Sequence, residues 1–229
     1  MYVELIAQTS IDGMGIYKRM DLDPHSSESE DLIEFAGRTC YQSYDKPNAK
    51  TRSNSNYIAN IIKQRHESVL EHASASFYVE GVSRNLLLEL ERHRHLSFSV
   101  ISQRFVNSQD TPFINPPAFI STSTETTDVW ENAVVHTQFA YEKAVSDLLN
   151  KGLPRKAARE AARAILPGGI ETKFVVTGNL RAWRDVLRKR YSVHADAEIR
   201  NFAKKVLHLL YTNAAPSVFA DFPSEPFND

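Results

Sequence analysis

Leu86-Leu87-Leu88-Glu89-Leu90-Glu91-Arg92-His93-Arg94-His95-Leu96-Ser97-Phe98-Ser99-Val100-Ile101-Ser102-Gln103-Arg104-Phe105 is the stretch from which the rest of the chain can be read. Its apolar first part reads as a helix packed on a core, beginning near Val82. The basic cluster then falls at that helix's C-terminal end, where the negative pole of the helix dipole tolerates cations. Arg92 and Arg94 stand two residues apart, so on a helix they point to different sides and suit two groups, or two parts of one ligand. A guanidinium is a rigid fork of donors matched to phosphate or carboxylate. Ser97, Ser99 and Ser102 add neutral hydroxyls nearby. The segment reads as an anion site, with phosphate as the expected ligand. A solvated helix end followed by loop serines would carry the same residues.

Outward from this stretch, helical and strand periodicities alternate. Tyr2 to Gln8 alternates weakly and reads as a strand, as does Ala73 to Val79, closed by Gly81, and Phe174 to Val176. Residues 12–31, with Gly13, Gly15, Pro24 and the acidic serine-rich run from Ser26 to Asp31, read as a mobile loop. Residues 111–127, with Pro112, Pro116 and Pro117, read as an irregular connection. Helical spacing appears around Leu32 to Ala36, Tyr57 to Ile62, Trp130 to Leu149 (ended by Gly152), Arg155 to Leu166 (entered through Pro154) and Ile199 to Leu210. Asn179 is placed to cap one more helix. The expectation is an α+β fold, a single domain over 1–229, with helices packed around a small, mostly antiparallel sheet.

Bulk numbers narrow the function classes. At 229 residues, 42% hydrophobic and 24% charged, the chain suits a globular protein with a sizeable core. A net charge of −1 creates no global field toward nucleic acid or membrane, so any anion site is local. One cysteine, Cys40, excludes an intrachain disulfide framework and fits a reducing compartment. The N-terminus lacks the pattern of a signal peptide, and no apolar run reaches transmembrane length. The expected location is the cytoplasm.

The motif spacing is similar to a known signature. Arg-His-Arg, seven residues, Ser, one residue, Arg (Arg92 to Arg94, Ser102 and Arg104) resembles that of the flavin-dependent thymidylate synthases. Phe35 to Ser43, His66 to His72, Ala161 to Pro167, and Thr177 to Arg181 through Arg190 and His194 also look like segments of that family, in family order. Phe105 stands where the family often has Tyr, which puts any role of that hydroxyl in doubt.

The resemblance implies conversion of dUMP to dTMP, with FAD as cofactor, NADPH as its reductant and methylenetetrahydrofolate as one-carbon donor. It implies a homotetramer whose active sites lie at subunit interfaces. For dUMP it points to Glu89, Leu90, Glu91, Arg92, Val100, Ile101, Ser102, Gln103, Arg104, Arg163 and Arg190. For FAD it points to Ser68, Arg92, His93, Arg94, Val100, Asn179, Leu180, Arg181 and His194. Arg190 matches the arginine that sits on the uracil ring, the catalytic position.

Each residue also has a plainer reading. Arg181, Arg184 and Arg188 at helical spacing form a basic solvated face, and Glu89 pairs with Arg92 one turn on. A non-catalytic nucleotide- or RNA-binding protein would use the same basic motif, although few surface aromatics are interleaved with it. Ser102 or Cys40 as nucleophile lacks a base-plus-orienter arrangement. No zinc spacing is present, and Asp12-Gly13-Met14-Gly15 is not a dinucleotide fingerprint. No metal is expected.

Overall fold

The computed structural model describes residues 1–228. The helices are α1 (Met14–Tyr17), α2 (Glu28–Tyr41), α3 (Asn54–Lys63), α4 (Arg84–Leu90), α5 (Thr124–Asn150), α6 (Arg155–Ala162), α7 (Leu180–Arg190), α8 (Ala197–Leu209) and α9 (Pro216–Phe219). The strands are β1 (Tyr2–Gln8), β2 (Ser74–Ser83), β3 (Leu96–Val100) and β4 (Glu171–Asn179). They form one sheet in the order β1-β2-β4-β3. Every pairing is antiparallel: Thr9 bonds to Ser74 while Met1 lies against Gly81, Ser76 meets Thr177, and Ile101 bonds to Lys173 while Leu96 meets Gly178. The chain is thus α+β, as expected.

Local chemistry places the helix starts. Ser53, Ser83, Ser123 and Asn179 each cap a helix, the side-chain oxygen accepting a backbone N–H of the first turn. At α2, Ser27 Oγ accepts from Glu30 N while Ser27 N donates to Glu30 Oε2, a full capping box. Gly152, at φ +85°, takes the left-handed conformation just after α5.

The chain divides into two compact units. One comprises Met1–Tyr2, Val79–Arg92 and Ser99–Phe174; the other comprises Val3–Tyr78, His93–Phe98 and Val175–Asp229. In the first, Tyr141 of α5 is fully buried and its hydroxyl accepts from Ser108 N. In the second, Trp183 of α7 packs edge-on against Phe77 and donates its indole N–H to the Ala75 carbonyl. Ile33, Ile58, Leu70, Val186, Phe202 and Phe219 complete that core.

Several sequence expectations are corrected. The loop over 12–31 contains α1 and ends at Ser27, because Glu30 and Asp31 lie buried in the first turn of α2. The connection over 111–127 ends at Ser123, after a 3-10 turn at Pro117–Ser121. The strand around Ala73 runs through Gly81, whose φ of +69° is followed by two more strand residues. The helix before the basic motif starts at Arg84 and is short, and Leu96–Val100, in the middle of the motif, is a strand. Among the described residues, no helix is long and apolar enough to cross a membrane.

Candidate active site

The residues expected to bind ligands divide between the two units. The first unit holds Glu89, Leu90, Glu91, Arg92, Val100, Ile101, Ser102, Gln103, Arg104 and Arg163. Helix α4 ends at Leu90, which is buried, and Glu91 is its C-cap. Arg92 is therefore exposed in a turn rather than on a helix, so the two-sided-helix picture of Arg92 and Arg94 does not apply. Val100 is the last residue of β3, and Ile101 N extends the pairing by donating to the Lys173 carbonyl at 2.9 Å. The chain then turns tightly: the Ser102 carbonyl accepts from Phe105 N and Val106 N at 3.1 and 2.9 Å.

Helix α6 meets this turn. Arg159 donates to the Phe105 carbonyl, and Arg104 Nη1 lies 3.5 Å from Glu160 Oε2. Both partners of the latter pair are about half exposed, so the pair is weak and either can be recruited by a ligand. Phe105 is 62% exposed, with the Lys156 ammonium 5.1 Å from its ring centroid. Arg163 follows α6 on a 3-10 turn and is exposed. This unit therefore presents exposed Arg92 and Arg163 together with half-buried Ser102 and Arg104 of the motif loop.

The second unit holds Ser68, His93, Arg94, Asn179, Leu180, Arg181, Arg190 and His194. Asn179 Oδ1 accepts from Ala182 N at 2.8 Å, fixing the start of α7. Leu180 is buried and its amide is bonded to the Ala73 carbonyl, so it serves the core. Ser68, Arg94, Arg181 and His194 are exposed. Arg181 pairs with Glu71, and Arg188 with Glu67 at 3.0 Å, tying α7 to the 3-10 segment Glu67–His72 that carries Ser68. The spacing of four between these two glutamates, with Ser68 between them, is the sequence signal for this pairing. Arg184, grouped in the sequence with a solvated basic face, is fully buried. It donates to both oxygens of Asp221 at 2.7 Å and to the Val218 carbonyl.

At the other end of α7, Arg190 Nε donates to His93 Nε2 at 3.0 Å. His93 Nδ1 lies 3.5 Å from Asp185 Oδ2, and Lys189 bonds the same carboxylate at 2.8 Å. Since Nε2 accepts, the imidazole proton sits on Nδ1, facing Asp185. Burial, and then the charge of Arg190, hold the His93 pKa below its ordinary value and outweigh Asp185, so the ring is neutral. Two segments 97 residues apart in sequence are thereby joined by one hydrogen bond. Among the described residues, no group of three or more His, Cys, Asp or Glu side chains is arranged to hold a metal ion.

Comparison with known proteins matches these segments to one family. The family model described as thymidylate synthase complementing protein covers residues 22–217. A protein of Mycobacterium phage D29 named probable flavin-dependent thymidylate synthase is 46% identical over all of this chain and 99% of its own length. Its namesake from Mycobacterium phage L5 is 43% identical over the full length of both. The flavin-dependent thymidylate synthase of Mycolicibacterium vanbaalenii is 48% identical over 83% of this chain and 78% of its own length. Similarity of this degree over the whole chain means that it belongs to the flavin-dependent thymidylate synthase family.

Proposed function

We propose that this protein converts dUMP to dTMP as an FAD-dependent thymidylate synthase, with methylenetetrahydrofolate as one-carbon donor and NADPH as reductant. Family membership supports the flavin and the reaction. NADPH, the folate and a cytoplasmic homotetramer with shared sites follow from the family resemblance, as does a single functional domain across the chain.

The chemistry of the donor set suits FAD. Its pyrophosphate is anionic, and Ser68, Arg94, Arg181 and His194 offer exposed hydroxyl, guanidinium and imidazole groups. The Arg181–Glu71 pair is solvent-exposed and cheap to exchange for a phosphate partner. When bound, the reduced flavin supplies the hydride that completes the new methyl group. The chain's own residues supply binding, orientation and charge. Arg92, Ser102 and Arg104, with the amides of residues 102–104, suit the dUMP phosphate. Arg163 adds a second cation for the nucleotide.

Arg190 carries the activation. A guanidinium is a planar, delocalised cation. Against the N3/O2 edge of uracil it stabilises the ring as N3 loses a proton, which raises electron density at C5. C5 then bonds to the folate's methylene carbon while the two carbon–nitrogen bonds that held that carbon break, the folate nitrogens taking up a proton each, and C5 gives up its own proton to solvent. The observation that carries this reading is the Arg190–His93 hydrogen bond, which anchors the proposed catalytic guanidinium to the family's Arg-His-Arg motif.

The test is tritium release from C5-labelled dUMP, with FAD, NADPH and methylenetetrahydrofolate omitted in turn. Full release should need all three. Arg190→Ala should abolish release and leave the melting temperature near that of the wild type. Release independent of flavin, or full release by Arg190→Ala, would overturn the assignment.

A further inference from the structure

We propose that His93 is a positioning residue for Arg190: clamped by Asp185, it accepts the Arg190 Nε–H and sets the plane in which the guanidinium meets the uracil ring. The inference rests on the reading of Arg190 as the nucleotide-activating arginine. It departs from the family resemblance, which makes His93 an FAD contact. His93 is only 9% exposed, and both ring nitrogens are turned to protein partners, Nε2 to Arg190 and Nδ1 to Asp185.

Arg190 is the last residue of α7, and the next residue, Tyr191, is buried with its hydroxyl bonded to the Ser224 carbonyl. The backbone beneath Arg190 is thus fixed. A long side chain on a fixed backbone still samples many rotamers, and the Nε bond selects among them before ligand arrives. Asp185 lies five residues before Arg190 on the same helix, so helix and histidine form a closed clamp: Asp185 orients His93, and His93 orients Arg190.

The clamp is sensitive to pH. The charges that bear on the ring come from α7: Arg190 and Lys189 disfavour a second proton, and Asp185 favours one. Protonation puts a hydrogen on Nε2, so the acceptor for Arg190 is lost and two cations face each other. The Nε bond is therefore lost as the pH falls below the ordinary histidine range. For the fold, the same group works in the matching direction. Its folded pKa is depressed, so its contribution is intact above about 6.5 and fades as the pH falls below that value.

The experiment uses full-length His93→Phe and His93→Gln beside wild type. In the FAD-loaded enzyme, kcat for dUMP should fall by about 100-fold in His93→Phe at unchanged flavin content, because a misplaced catalytic group costs about that much. His93→Gln, whose amide oxygen can accept from Nε, should recover about 10-fold of this loss. Wild-type kcat should fall on the acid side, and both variants should lack that fall. In the flavin-free protein, the Arg190 Nε–H resonance should be protected at neutral pH in wild type, lost on acidification, and absent in His93→Phe. Wild-type kcat in His93→Phe alongside an inactive Arg190→Ala would overturn the proposal, as would an unchanged Nε–H resonance. Should His93→Phe not fold, an acid limb retained in His93→Gln would overturn it. An active Arg190→Ala would instead refute the role of Arg190, while the resonance would still report whether His93 holds it.

Discussion

Asp221→Ala should damage the fold more than Arg184→Met, although arginine is the larger residue. The Arg184 side chain is 0% exposed, and that of Asp221 is 46% exposed. Two bonds of 2.7 Å join them, the guanidinium also donates to the Val218 carbonyl, and it lies 5.0 Å over the Phe222 ring. Removing the carboxylate strands a cation in the interior, at a cost of about 3–5 kcal/mol. Removing the guanidinium strands a carboxylate that water can reach, plus one carbonyl, at a cost of about 1–3 kcal/mol. For a chain of this size, each kcal/mol shifts the melting temperature by about 2–4 °C. Asp221→Ala should therefore melt about 10 °C or more below wild type, and Arg184→Met about half as far. The double variant should fall no further than Asp221→Ala alone, because the stranded cation is gone. Thermal and urea unfolding of flavin-free protein is the assay, since bound ligand would mask the difference. For Asp221, burial acts to raise the pKa, but the hydrogen bond and charge of Arg184 prevail and hold it below 3.8. The pair's contribution is therefore intact above that value and fades as the pH falls below it. Equal losses, or a larger loss in Arg184→Met, would refute the reasoning.

Three further outcomes can be checked by urea denaturation. A Cβ on Gly178 would stand 2.5 Å from Leu96 Cδ2 and 3.3 Å from Trp183 Nε1, both buried, so Gly178→Ala should cost about 1–3 kcal/mol. For Gly168→Ala the nearest atoms belong to the exposed, rotatable side chain of Asn85, so it should cost less than about 1 kcal/mol. Asn179→Ala removes the cap on Ala182 N and should cost about 1 kcal/mol, which Asn179→Asp should restore. Flavin content, read by absorbance, should fall in Asn179→Ala if Asn179 also serves FAD.

Much of the architecture was legible because its causes are local. Alternation over Ala73 to Val79 and Phe174 to Val176 marks strands buried on one face, and β4 alternates in burial along its whole length. Asn179, Gly152 and Pro154 stand where helix ends require them. Leu96-Ser97-Phe98-Ser99-Val100 also alternates, but the charges that flank it mask the strand pattern. The run from Ser26 to Asp31 looked like loop because acidic residues seldom lie inside. What buries Glu30 is remote: its carboxylate accepts from Ser217 N, 187 residues away.

The candidate site divides in the same way. Residue type alone states which groups are cationic, which can donate, and which spacing marks the family, since these are properties of the side chains and of short segments. Whether an arginine is a ligand hand or a structural bolt is settled by its partner. Along α7 those partners are Glu71, Asp221, Glu67 and His93, lying 110, 37, 121 and 97 residues from Arg181, Arg184, Arg188 and Arg190. Desolvation and charge pairing depend on where distant segments come to rest, so four arginines that look alike in sequence acquire different work only in the folded chain.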